Sequence, residues 1–217
     1  MRFLCVLLLG TSVARAELLC PGTEITVSGA DPATEARVCA IVEDAAPGLA
    51  ACGLPLETPL SLTLVDDLPQ GCLGLYHCGE GRIEILSPDL LTQRRLPGSL
   101  FAAVPGAPYF DSIVVHELAH AAHDALPCPS GVCLATSEYL AYNMQIMSLA
   151  PEDRAHVEAV IDMGERVSHD EISAMVLFFS PDTFASRAWA HLNQRDDPCA
   201  YLRHVAKGDF TFDRAGP

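Results

Sequence analysis

The chain has 217 residues, half of them apolar and 19% charged, with a formal net charge of −15. This supplies the material for one hydrophobic core and excludes both a disordered chain and a large multidomain assembly. Lysine occurs once, at Lys207, and no Lys/Arg-rich run could follow a phosphate backbone or an anionic bilayer, so nucleic acid is not an expected partner.

The chain opens with Arg2, an apolar run from Phe3 to Leu9 and the small-x-small triplet Ala14-Arg15-Ala16. This is the pattern of a signal peptide over residues 1–16, cleaved after Ala16, with residues 17–217 as a single domain. No apolar segment approaches the roughly 20 residues that span a bilayer, so the expectation is an exported protein without a membrane anchor, periplasmic or secreted. Loss of the signal also removes Cys5 and leaves eight cysteines, an even set that fits four disulfides in an oxidising compartment. The pairs Cys72/Cys78 and Cys128/Cys133 would close small Gly- or Pro-rich loops, with Cys39/Cys52 and Cys20/Cys199 following by elimination. A cysteine zinc site would want C-x2-C spacing, and none occurs.

In chain order, residues 33–46 carry Ala36, Val38, Cys39, Val42 and Ala46 at helical spacing behind an N-cap-like Asp31, and Pro47-Gly48 ends the pattern. Leu60, Leu62 and Leu64 alternate with Ser61, Thr63 and Val65 as in a strand. Gly71 to His77 and Arg82 to Leu86 read as two further strands around the turn Cys78-Gly79-Glu80-Gly81. If Gly81 to Leu86 lay at a sheet edge, a peptide could add to it as a strand, with Arg82 and Glu84 on one face and Ile83 and Ile85 on the other. From Asp111 the period turns helical over residues 111–126, 136–149, 151–164, 169–179 and 183–193. The expected class is therefore α+β, a small mixed sheet followed by a helical half, without internal repeats or a domain linker.

The first of these helices contains His116-Glu117-Leu118-Ala119-His120, an H-E-x-x-H motif. Residues four apart share a helix face, so His116 and His120 can present two imidazole nitrogens to one ion, and zinc suits that donor set. Glu117 lies about 100° around the helix from His116, poorly placed as a ligand and well placed to act on a metal-bound water as general base. A catalytic zinc takes a third protein ligand. Seventeen residues separate His120 from Glu138, which sits in Thr136-Ser137-Glu138-Tyr139-Leu140-Ala141-Tyr142, on a second helix able to fold back on the first. Thr136 or Ser137 would cap that helix. Tyr142 follows one turn beyond Glu138 on the same face. Ser168-x-x-Glu171 forms a capping-box pattern around His169.

Over about residues 110–145 the chain resembles the zincin metallopeptidases, and within them the gluzincins, in which H-E-x-x-H is followed by a helix that donates a glutamate. It also resembles small exported bacterial proteins grouped as domains of unknown function. The resemblance implies a zinc peptidase acting on a peptide or protein substrate, with His116, His120 and Glu138 as ligands, Glu117 as base and a Tyr or His as oxyanion donor, Tyr142 being the first choice ahead of Tyr139 and His169. Two departures stand out. Tyr142 occupies the place where gluzincins of the thermolysin kind carry an aspartate that orients a ligand histidine, and His123 and Leu126 replace the glycine and third histidine of the metzincin motif. Asp124 is a candidate to hold His120 instead. The alternative function is a non-enzymatic exported module that uses a degenerate zincin core as a binder or scaffold.

Overall fold

The computed structural model describes residues 17–213; the signal-peptide expectation falls on 1–16 and lies outside the described residues. The class is α+β. Five strands, β1 (Leu18–Leu19), β2 (Ile25–Ser28), β3 (Leu60–Val65), β4 (Gly74–His77) and β5 (Arg82–Leu86), form one mixed sheet in the order β1-β2-β3-β5-β4.

Helix α1 (Pro32–Ala51) crosses over from β2 to the parallel β3. It starts where expected, because the Asp31 carboxylate accepts from the N–H groups of Ala33 and Thr34, with Pro32 in the first turn. It runs past Pro47 to Ala51, five residues further than the sequence pattern indicated. Alternation in β2 and β3 buries Ile25, Val27, Leu60, Leu62 and Leu64. β5 lies between β3, parallel to it, and β4, antiparallel to it. The alternation read into β5 holds, but its place is interior, and the edge on that side of the sheet is β4. Strand β4 is also shorter than Gly71 to His77, because Cys72 N–H turns back onto the Pro69 carbonyl.

Helices α2 (Pro88–Arg94), α3 (Gly106–Asp124), α4 (Leu134–Ser148), α5 (Pro151–Glu158), α6 (Ala174–Phe179), α7 (Pro181–Asn193) and α8 (Pro198–Ala206) complete the described fold. The segment expected as one helix over 169–179 divides into a single 3-10 turn, His169–Glu171, and α6. Ser168 and Glu171 form the anticipated capping box around the 3-10 turn, and Ser173 starts a new helix by accepting from Val176 N–H. Helix α3 is buried nearly all round, packed between the sheet, α1 and α4. A bidentate Arg37–Asp111 pair, with both bonds at 2.9 Å, joins it to α1.

Three disulfides join the described residues: Cys20–Cys39, Cys52–Cys199 and Cys128–Cys133. The last is as expected. A Cys39/Cys52 bond is ruled out because α1 holds these residues roughly 20 Å apart at 1.5 Å per residue. Cys39 therefore meets Cys20 beside β2, and Cys52 reaches α8. Cys72 and Cys78 are free thiols at opposite ends of β4, whose extended chain keeps them beyond the roughly 7 Å that a disulfide spans. Three disulfides fit an oxidising environment. Among the described residues no helix is long and apolar enough to cross a membrane.

Candidate metal centre

The disulfide loop 128–133 turns the chain so that α4 runs back along α3, matching Ser112 and His116 with Gln145, and His120 with Ser137. His116 Nε2 and His120 Nε2 then face each other at 3.0 Å, and Glu138 places one carboxylate oxygen 3.5 Å from each. Four tetrahedral ligands at 2.0–2.1 Å from an ion stand about 3.3 Å apart, so this three-atom cluster has the spacing of a metal cradle. His116, His120 and Glu138 are also the group of metal-ligating side chains that converges among the described residues.

Hydrogen bonds aim both imidazoles. His116 Nδ1–H donates to Gln145 Oε1 at 3.0 Å; the Gln145 amide donates to Ser112 Oγ, which donates to the Tyr109 carbonyl. His120 Nδ1–H donates to Ser137 Oγ at 2.8 Å. With each Nδ1 proton engaged, both Nε2 lone pairs point at Glu138, the arrangement of metal-ligating histidines. Asp124 does not hold His120. Its carboxylate accepts from Tyr76 Oη at 2.9 Å and from Gly79 N–H at 2.7 Å, so it pins the β4–β5 hairpin to the end of α3.

Burial and neighbouring charge set the protonation states. Burial drives the His120 pKa down to about 4, against the pull of Glu138, so the ring is a neutral donor. Burial opposes the Glu138 carboxylate, but the two histidines outweigh it and lower its pKa. Burial likewise opposes the His116 cation, yet the Glu138 contact outweighs it and raises its pKa. Glu117 is pushed up to about 7, mainly by burial. Its carboxylate accepts the Tyr76 N–H and lies against Gly74, where an added Cβ would sit 2.4 Å from Glu117 Oε1. Only glycine leaves room at that position.

Tyr142 packs edge-on against His116, ring centroids 4.7 Å apart, with burial raising its pKa well above the usual range. Of the two other candidates, Tyr139 belongs to the core and His169 is exposed at the surface. Tyr139 Oη meets His191 Nδ1 at 2.9 Å while its ring stacks on Phe212, and His169 donates to the Thr211 carbonyl from the far side of Phe212. His123 is buried and kept neutral, with no partner for Nε2, and is not part of the cluster.

Helix α4 also starts differently from the expectation. Its N-cap, Cys133, gives no side-chain bond, and Ser137 is committed to His120. The cap comes from Asp213, whose carboxylate accepts from Ala135 N–H at 2.8 Å, Thr136 N–H at 2.9 Å and Thr136 Oγ1 at 2.7 Å. Sequence reasoning missed Ser137, Gln145, Gly74 and Asp213 as supports of the cluster. Gln145 alone had a local signal: it lies seven residues past Glu138, on the same stripe of α4.

Residues 25–215 match the model of a family of unknown function, DUF6639. The chain belongs to this family. No curated protein and no solved structure gives a significant match. The family match therefore brings no activity with it, and the chemistry rests on the cluster itself.

Proposed function

We propose that the protein is an exported zinc-dependent peptidase. The observation that carries this is the pairing of a His116/His120/Glu138 cradle with a buried, non-ligating carboxylate, Glu117, whose pKa is pushed up to about 7. The donor set of two imidazole nitrogens and one carboxylate fits zinc and leaves a fourth position open. When bound, zinc would polarise a peptide carbonyl and acidify a water molecule.

The remaining work falls to side chains of this chain. Glu117, poised near neutrality, accepts a proton from the attacking water and returns it to the departing amine. The Tyr142 hydroxyl donates to the oxygen that becomes negative as the carbonyl carbon turns tetrahedral. Gln145 and Ser137 hold the two histidines in the required tautomer. Strand β4 lies at a sheet edge and passes Glu117 at Gly74, so an extended peptide pairing with β4 would bring its backbone to the cluster. This role passes from β5, where the sequence suggested it, to β4.

The test is elemental analysis of protein made in an oxidising compartment, with His116→Ala and Glu117→Gln beside it. The reading expects about one zinc per chain, lost in His116→Ala, and a Glu117→Gln protein that keeps zinc but cuts no peptide. A protein that takes up no metal would leave the binding-module alternative in its place.

A further inference from the structure

The cluster opens into a cleft of about 1870 Å³, beyond the roughly 300–1,000 Å³ that encloses a small molecule. Its mouth is rimmed by Leu96, Val132 and Phe179, which are 71%, 72% and 79% exposed. Val132 is held in the Cys128–Cys133 loop, and Phe179 ends α6, where Met175 and Phe178 extend the apolar surface outward. Large side chains left in water around a cleft are the usual mark of a surface that is covered in use.

The charges in the cleft are as telling. Arg94 pairs with Asp67 and donates to the Leu68 and Cys72 carbonyls. Arg95 donates to the Val104 and Phe101 carbonyls and lies over the Tyr109 ring. Neither guanidinium is available for an anion. Asp124 is consumed by Tyr76 and Gly79, which leaves Asp182, exposed in the first turn of α7, as the remaining acid of the rim. Among the described residues, an incoming carboxylate, from an acidic residue or a chain terminus, meets no free cation outside the metal cradle. At the rim, among the described residues, an incoming amine meets only the solvated Asp182 carboxylate.

We propose that the cleft takes an internal, uncharged, apolar stretch of extended polypeptide, lodging bulky side chains on Leu96, Val132 and Phe179, and does not read chain ends. The orientation along β4 rests on the peptidase reading; the binding itself does not. The inferred peptidase is therefore an endopeptidase that selects apolar segments, such as those exposed by unfolded or unassembled proteins.

The experiment uses full-length Glu117→Gln protein loaded with zinc, so that ligand is held rather than cut. Fluorescent peptides of one length, acetylated and amidated, carry a central Phe-Leu, Ser-Gln or Glu-Asp pair, and binding is followed by anisotropy. The capped Phe-Leu peptide should bind at least tenfold tighter than the other two, a difference of about 1.4 kcal/mol. Adding Phe179→Ser or Leu96→Ser, both exposed and harmless to folding, should weaken it several-fold. Equal binding of the polar or acidic peptide, binding only of uncapped peptides, or no peptide binding while lipid vesicles are retained would overturn the proposal. Wild-type cleavage of the same peptides separates the two readings. Binding without cleavage rejects hydrolysis and keeps the occupant, whereas cleavage confined to acidic or uncapped peptides keeps hydrolysis and rejects the occupant.

Discussion

His116 and Gln145 are joined across the α3–α4 interface by a 3.0 Å hydrogen bond in which the glutamine oxygen takes the Nδ1 proton. That bond commits Nε2 to the cradle. Replacing Gln145 by leucine keeps the volume and removes the acceptor, so His116 can turn or change tautomer. Metal affinity should fall about 10- to 100-fold, as for other partners of metal-bound histidines, with a small loss of thermal stability. Competition with a chelating dye checks this, and an unchanged affinity would remove Gln145 from the centre.

The three atoms nearest to a Cβ added at Gly74 all belong to the Glu117 side chain. In Gly74→Ala either β4 moves out or the carboxylate swings away from the cradle. Zinc stoichiometry should hold, peptide hydrolysis should drop by an order of magnitude or more, and stability should fall by about 1–3 kcal/mol from overpacking. Parallel assays of metal content and turnover distinguish this from loss of the metal site.

Asp213 caps α4 from 77 residues away in sequence, through three bonds to its first turn. Asp213→Ala leaves those donors without a partner and should cost about 2 kcal/mol, read as a lower denaturation midpoint. Because Ser137 and Glu138 stand in the turn that it anchors, metal affinity should weaken as well. A core substitution of similar cost away from α4, such as Val42→Ala, should lower the midpoint and leave affinity unchanged.

Burial and the neighbouring Arg195 guanidinium depress the His191 pKa to about 4. Arg195 donates to His191 Nε2 and Tyr139 engages Nδ1, so there is no room for a second proton. The unfolded chain takes up that proton near pH 6.5, and the folded chain resists it until about pH 4. The stabilisation is thus complete above pH 6.5 and drains away as pH falls toward 4, by on the order of 2 kcal/mol. Denaturation at pH 7 and pH 5 should show this slope, and His191→Gln should flatten it.

Local periodicity determined much of this protein from sequence alone. Four-residue spacing put His116 and His120 on one face of a helix, the next helical run put Glu138 opposite them, and alternation of apolar residues marked β3 and β5. Tertiary packing decided the rest, because it depends on which surfaces meet. The 20-residue length of α1 separated Cys39 from Cys52 and redirected both disulfides. The strand order made β4 the edge and brought Gly74 onto Glu117. Packing of α4 against α7 and α8 turned Tyr139 into the core while Tyr142 stayed at the cradle. Asp213 reached α4 only because the end of the described chain folds back over it. A helix or strand period reports a residue's own face; the partner that this face meets is settled by the competition among all buried surfaces for one close-packed core.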